Sequence, residues 1–365
     1  MPFTIDLVAG ARPNFMKVAP ILRALKGSCF SPRLVHTDQH YDAGMSDIFF
    51  RQLGIPAPDV HLGAGSGTHA EQTACILIAF ERHLVAAQPK SRGVVVVGDV
   101  NSTLACTLAA AKLRIPVAHV ESGLRSFDRS MPEEINRVVT DSLADLLLVS
   151  EPSGLANLRH EGIPSDKCRF VGNVMIDTLI HELAAARALD LKFLKVGARH
   201  ALVTLHRPSN VDDEERLRKV VTSLESLATK LTIVFPLHPR TRQKLSATRL
   251  LSRLNANPAI RLLDPLGYRE NLAILSSASV VVTDSGGLQE ESSYLGVPCL
   301  TMLPNTERPI TCTLGTSTLV GDELDSLPTL VDQILAGGYK RGQAIEGWDG
   351  RAAERIVTAL TEAWR

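Results

Sequence analysis

Short apolar runs alternate with longer segments of helical period along the whole chain. Runs at residues 4–9, 33–36, 93–97, 117–120 and 146–149 read as strands, and the stretches 14–26, 68–87, 103–112 and 133–143 read as helices. The second half repeats the alternation, with strands expected at 201–205, 232–236, 261–263, 280–283 and 299–302. Strands joined by short loops and crossover helices build parallel sheets. The expected fold is α/β, with two Rossmann-like, doubly wound domains facing a central cleft, a common place for small-molecule sites. The expected division is 1–172, 173–350 and a closing helix over 351–365 that packs back on the first domain.

Composition narrows the partners. A length of 365 residues suits roughly two domains, and 45% hydrophobic residues supply their cores. Lysine plus arginine and aspartate plus glutamate number 39 each, so the formal net charge is zero. Nucleic acid and anionic membranes reward a basic surface, and neither is the expected partner. Aromatic residues at 4% leave few platforms for stacking single strands. No apolar run approaches a membrane span, and the first residues lack the regions of a signal peptide. Six scattered cysteines without a CxxC pair read as core filler in a reducing compartment, so the expected location is cytoplasmic. The eleven histidines show no HExxH or paired His/Cys spacing, and no metal is expected.

The most informative stretch is 281–298. An apolar strand stops at Thr283-Asp284-Ser285; Gly286 and Gly287 follow, then a helix with Leu288, Tyr294 and Leu295 as its apolar positions. Ser285 suits the N-cap, and the glycines let a ligand touch the backbone. Free N–H groups and the helix's positive end suit a phosphate, while Glu290 and Glu291, one turn in, can accept ribose hydroxyls. The plain alternative is a capped corner with surface acids. Its place at the carboxyl end of a strand, where open α/β sheets bind ligands, favours a nucleotide diphosphate.

Other polar clusters also follow strand ends. Arg12 and Lys17 bring positive charge after Gly10, and Asp99 follows Gly98. Glu121 lies in His119-Val-Glu-Ser-Gly-Leu-Arg125, Glu133 and Arg137 are four apart on one helical face, and His206 ends a strand in the second half. Singly, each has an ordinary reading: a surface ion pair for Glu133 and Arg137, a helix cap for Asp99, a solvated Lys17, a satisfied His206. Together, Asp99, Glu121 and Glu133 gather three carboxylates on one sheet's ligand edge. Clustered carboxylates raise one another's pKa, as acids and bases working near neutrality require.

These residues carry a resemblance. Gly10-x-Arg-Pro…Lys17, Gly98-Asp99, His119-Val-Glu121-x-Gly-Leu-Arg125, Pro132-Glu-Glu-x-Asn-Arg137, Gly172-Asn173…Asp177, Asp284-Ser-Gly-Gly-x-Gln-Glu-Glu291 and Thr306-Glu-Arg-Pro309 stand in family order. With them the chain resembles the non-hydrolysing UDP-N-acetylglucosamine 2-epimerases from its first strand past residue 320. The resemblance implies a GT-B-like fold, interconversion of UDP-GlcNAc and UDP-ManNAc with no external cofactor, and a homodimer. It casts Asp99, Glu121 and Glu133 as proton carriers, and Lys17, Arg137 and His206 as groups that stabilise departing charge. Arg12, Ser285, Gly286 and Gly287 then hold the diphosphate and Glu291 the ribose, with Tyr268 and Arg308 also binding substrate.

The chain departs from the family pattern at Asn14-Phe15, Val100-Asn101-Ser102, Pro208-Ser209 and Asn271. A UDP-2,3-diacetamido-glucuronate 2-epimerase is the nearest substrate alternative, and a GT-B glycosyltransferase the alternative class. Many family members need a second UDP-GlcNAc as activator. Asp42, Glu71-Gln72 and Pro208-Ser209 alter the segments resembling that pocket, although Gln39-His40 is retained, and the expectation is an enzyme that works without it.

Overall fold

The computed structural model describes residues 3–39, 43–191 and 199–364; His40 and Asp42 lie outside them. Two compact units form: Met1–His181 with Glu346–Arg365, and Glu182–Ile345. The first holds β1 (Phe3–Ala9), β2 (Phe30–His36), β3 (Val60–His61), β4 (Val94–Val97), β5 (Val117–Ser122), β6 (Leu146–Val149) and β7 (Cys168–Phe170). Their order is β3-β2-β1-β4-β5-β6-β7, with every pairing parallel. The second holds β8 (His200–Thr204), β9 (Thr232–Pro236), β10 (Ile260–Leu263), β11 (Val280–Thr283), β12 (Cys299–Thr301) and β13 (Ser317–Leu319). Its order is β10-β9-β8-β11-β12-β13, again all parallel.

Each unit is therefore the doubly wound sheet expected from the alternation. Helices cover both faces, so the inner strands are apolar along their length: all four valines of β4 are buried, as are Val280, Val281 and Val282 of β11. The strands missed in the sequence, β3, β7 and β13, are two or three residues long and lie at sheet edges. Segments that short carry no periodicity. In both sheets the order reverses beside the first strand, between β1 and β4 and between β8 and β11, the place where such sheets bind ligands.

The closing helix, Ala352–Trp364, belongs to the first unit. Its N–H groups at Ala352 and Ala353 donate to the Asp177 carboxylate over 3.1 and 2.7 Å, so a distant side chain caps it. Trp364 stacks on Phe3 at 6.3 Å between ring centroids. Gly172, at φ +84°, passes so close to Gly347 that a Cβ would stand 2.2 Å from its carbonyl oxygen. The Gly172-Asn173…Asp177 motif thus anchors the returning chain. Among the described residues no helix is long and apolar enough to cross a membrane.

Candidate active site

In the first unit the chain leaves β1 at Gly10, and Asn14 shapes the turn. Asn14 Oδ1 accepts from the N–H groups of Gly10 (3.0 Å) and Ala11 (2.9 Å), and its Nδ2 donates to the Val97 carbonyl (3.1 Å). This departure from the family pattern ties the β1 turn to the end of β4. The next residue there, Gly98, has φ +70°, and a Cβ on it would stand 2.9 Å from Lys17 Nζ. Glycine is what lets Lys17 pass. Lys17 is buried, not solvated, and forms an ion pair with the equally buried Glu121.

Arg137, 1% exposed, forms an ion pair with Asp99, and its Nη1 lies 2.8 Å from Glu134 Oε2. Glu134, at i,i+3, is an ion-pair partner of Arg137, and Glu133, at the expected i,i+4 spacing, is half-buried. Both spacings bring side chains together on a helix. Glu134 also accepts from Ser126 N–H (2.9 Å), Ser126 Oγ (3.1 Å) and Phe127 N–H (3.0 Å), which turns it inward. Asn136 adds a bond from its Nδ2 to the Asp99 carbonyl at 3.0 Å. Arg12 is half-buried at the start of its helix.

In the second unit the loops after β8 and β11 meet at Asp284. Its carboxylate accepts from the N–H groups of His206 (3.0 Å) and Arg207 (2.9 Å) and from Asn210 Nδ2 (3.1 Å). His206 Nδ1 lies 2.8 Å from Asp284 Oδ1, which turns Nε2 away from the carboxylate. Burial pushes the Asp284 carboxyl up, but the bonds and charge of His206, with Arg207 and Asn210, hold it below the usual carboxylate range.

Ser285 occupies the N-cap of the helix Gly286–Leu295 in extended conformation, yet its side chain makes no capping bond. The first-turn N–H groups retain their capacity for an anion. Arg308, 6% exposed, lies directly against this turn: a Cβ on Gly286 would stand 2.4 Å from its Nη1. Its Nε is 2.9 Å from Glu290, and it also pairs with Glu307. Gly287 follows in the helix's first turn.

The burial of this helix reverses the apolar pattern. Leu288 is half-buried and Tyr294 is 38% exposed, whereas Glu290 and Glu291 are buried. The acids go inside because partners wait there, Arg308 for Glu290 and the Tyr268 hydroxyl for Glu291 at 2.9 Å. They are not surface acids. Burial pushes the Glu291 carboxyl up to about 7, with the Glu290 charge adding and the Tyr268 bond opposing; burial also carries the Tyr268 hydroxyl well above its ordinary value.

That shift predicts a pH dependence. The folded state holds the Glu291 proton until about pH 7, whereas the unfolded chain releases it near 4.5. Stability is therefore fully present below 4.5 and is lost as pH rises through 7. Removing the ionisable group with Glu291→Gln avoids a loss of roughly 3 kcal/mol. The Tm of this variant should exceed the parent's near pH 8 and lose that advantage near pH 4. An offset that does not change with pH contradicts the assignment.

Among the described residues, one group could hold a metal ion: His36, Asp38 and His61, with donor atoms within 4.8 Å of one another. Both Nδ1 atoms face Asp38 Oδ1, at 2.5 and 3.1 Å, and Gly63 N–H donates to Oδ2 at 2.9 Å, while the buried His36 Nε2 has no hydrogen-bond partner among the described residues.

Known proteins carry the same chain pattern. The profile of the UDP-N-acetylglucosamine 2-epimerase family matches residues 23–361. The UDP-N-acetylglucosamine 2-epimerase of Methanocaldococcus jannaschii is 41% identical over 364 residues, 98% of either chain. The UDP-2,3-diacetamido-2,3-dideoxy-D-glucuronate 2-epimerase of Pseudomonas aeruginosa is 40% identical over 97% of this chain and 98% of its own. The M. jannaschii crystal structure with UDP-GlcNAc and UDP matches with a TM-score of 0.92 at 41% identity, over 98% of this chain and 99% of that one. The Neisseria meningitidis enzyme bound to UDP-GlcNAc matches at 0.89 and 29% identity, over 98% and 100%. Sequence and fold agree: the chain belongs to the UDP-N-acetylglucosamine 2-epimerase family.

Proposed function

We propose that this chain reversibly converts UDP-GlcNAc into UDP-ManNAc without an external cofactor. The observation that carries the reading is the set of cation-held carboxylates at the first sheet's ligand edge, Glu121 with Lys17 and Asp99 with Arg137. A GT-B glycosyltransferase would use the same diphosphate turn but has no C2 proton to move.

A base removes the C2 proton, the C–H electron pair becomes the C1=C2 double bond, and the C1–O bond breaks to release UDP. UDP then adds back at C1 while a proton reaches the opposite face of C2. Opposite faces require at least two acid–base groups, and Asp99, Glu121 and Glu133 supply them. The sugar C2–H is a weak acid, so stabilising the departing diphosphate matters as much. Arg12, Lys17, Arg137 and His206 bring cationic or hydrogen-bonding groups to that task. The detached UDP stays bound through Ser285, Gly286, Gly287 and Arg308, with Glu291 and Tyr268 at the ribose. On the same reading the enzyme works as a homodimer in the cytoplasm.

The 40% identity to the P. aeruginosa enzyme supports one second reading, in which the sugar is UDP-2,3-diacetamido-2,3-dideoxy-glucuronate. Proton NMR of the protein with UDP-GlcNAc separates the cases. The anomeric signal of UDP-ManNAc should grow to a fixed ratio with no free sugar released. Free N-acetylmannosamine with UDP would mean hydrolysis, and turnover of the diacetamido sugar alone would move the reading to that substrate.

No activator should be needed. Glu71 accepts from Thr68 in a helix cap, and Gln72 bonds to Gln39 O and to Asn101. Pure UDP-ManNAc is expected to react at once. A lag that ends on adding trace UDP-GlcNAc contradicts this.

A further inference from the structure

Glu121 has a backbone conformation that side chains disfavour, and its surroundings must impose it. It is the extra residue of a bulge in β5: the register against β6 slips between Val120 and Ser122, and its φ is +71°. The hydrogen bonds on either side converge on one carboxylate, that of Asp141. Two residues before Glu121, His119 Nδ1 lies 2.6 Å from Asp141 Oδ1. Two residues after it, Gly123 N–H donates to Asp141 Oδ2 over 3.0 Å.

The carboxylate is itself held fast. Arg125 Nη1 lies 2.7 Å from Asp141 Oδ2, and the same guanidinium donates to both oxygens of Glu161 over 2.7 Å. Asp141, His119 and Arg125 are at most 3% exposed, so water does not compete for these bonds. Burial pushes the Asp141 carboxyl up, and the charges and bonds of His119 and Arg125 more than offset it, leaving it below the usual range. Gly123 has no room to shift: at φ +80°, a Cβ on it would stand 2.5 Å from the Gly154 carbonyl oxygen.

The network also reaches the other half of the proton machinery. His119 Nε2 lies 2.8 Å from the carbonyl oxygen of Gly98, the residue before Asp99. Asp141 is one turn beyond Arg137 on the helix Pro132–Leu143, so that helix grips Asp99 with one side chain and brackets Glu121 with another. An ion cluster that only stabilised the fold would be complete with His119, Arg125 and Glu161. The bond to Gly123 N–H is additional, and with His119 it closes around Glu121.

We propose that Asp141 is a positioning residue of the reaction: its carboxylate staples residues 119 and 123 together, so that Glu121 keeps the left-handed turn that aims its side chain at Lys17. The proposal rests on Glu121 being a proton carrier in the reaction proposed above. Its test compares Glu121→Gln, Asp141→Asn and the double variant, with turnover of UDP-GlcNAc, UDP affinity and Tm measured for each. The asparagine keeps the shape but sets an amide donor against N–H donors on one side of the staple. Asp141→Asn should lower kcat at least about tenfold well below its Tm, with KM and UDP affinity changed by less than about threefold.

In the Glu121→Gln background the same substitution should cost less than about threefold more, because groups acting as a unit are not additive. If Asp141→Asn does not fold, His119→Gln gives the same readings, since it gives up the bond to Asp141 and keeps an amide near the Gly98 carbonyl. A lowered Tm with normal kcat overturns the staple, as do penalties that multiply in the double variant; both leave the Glu121 role standing. Near-normal turnover in Glu121→Gln overturns both.

Discussion

Glu121→Gln is expected to lower kcat for UDP-GlcNAc by at least about 100-fold, the scale lost with an acid–base group, and to change UDP affinity by less than about threefold. The amide keeps the volume and can still accept from Lys17, so what disappears is the capacity to take and give a proton. Asp99→Asn and Glu133→Gln should fall by similar factors. Asp99→Asn carries a second effect, because it removes a paired charge from beside the fully buried Arg137. Breaking such a buried pair costs about 3 kcal/mol, so this variant should also melt earlier, and turnover has to be compared well below each Tm. Near-normal kcat in all three amide variants contradicts the assignment.

Gly286→Ala should weaken UDP binding strongly. The new methyl would stand 2.4 Å from Arg308 Nη1, which cannot be a real contact. Arg308 has little freedom to retreat, being 6% exposed and held by Glu290 and Glu307. Either the guanidinium leaves its carboxylates or the helix start moves, and both spoil the turn proposed to hold the diphosphate. Overpacking of about 1–3 kcal/mol corresponds to roughly 5- to 150-fold weaker UDP binding, measurable by calorimetry. Affinity equal to the parent's would mean that the diphosphate lies elsewhere.

Much of this architecture was legible in the sequence because it depends on local signals. A central strand covered on both faces must be apolar throughout, and a charged or glycine-rich turn follows each one that matters: Gly10, Gly98-Asp99, His206 and Ser285-Gly286. What escaped depends on contacts far apart in sequence. Glu133 and Glu134 are equally good partners for Arg137 by spacing, and the bonds that turn Glu134 inward come from the distant loop at Ser126 and Phe127. The helix after Ser285 buries acids because Tyr268 and Arg308 meet them, against the rule that apolar residues face inward. Asp141 gave no signal at all. Its role depends on His119 in β5, on Gly123 just past that strand and on a register slip that no pattern of residues announces.

The departures from the family pattern at Asn14 and Asn101 have structural work of their own. Asn14 joins the turn after β1 to Val97, and Asn101 bonds both Asn136 and Gln72. Both lie beside the proposed proton carriers and keep the loops around Asp99 in place without supplying a group that can exchange a proton.

The central claim is that the C2 proton leaves and returns while UDP is detached. Incubation of the protein with UDP-GlcNAc in D2O, followed by NMR, tests it most directly. Deuterium should appear at C2 of the UDP-ManNAc formed and, as the reaction reverses, at C2 of the recovered UDP-GlcNAc. UDP-ManNAc that keeps its original C2 proton, or no exchange at C2 in any UDP-N-acetylhexosamine tested, would contradict the account.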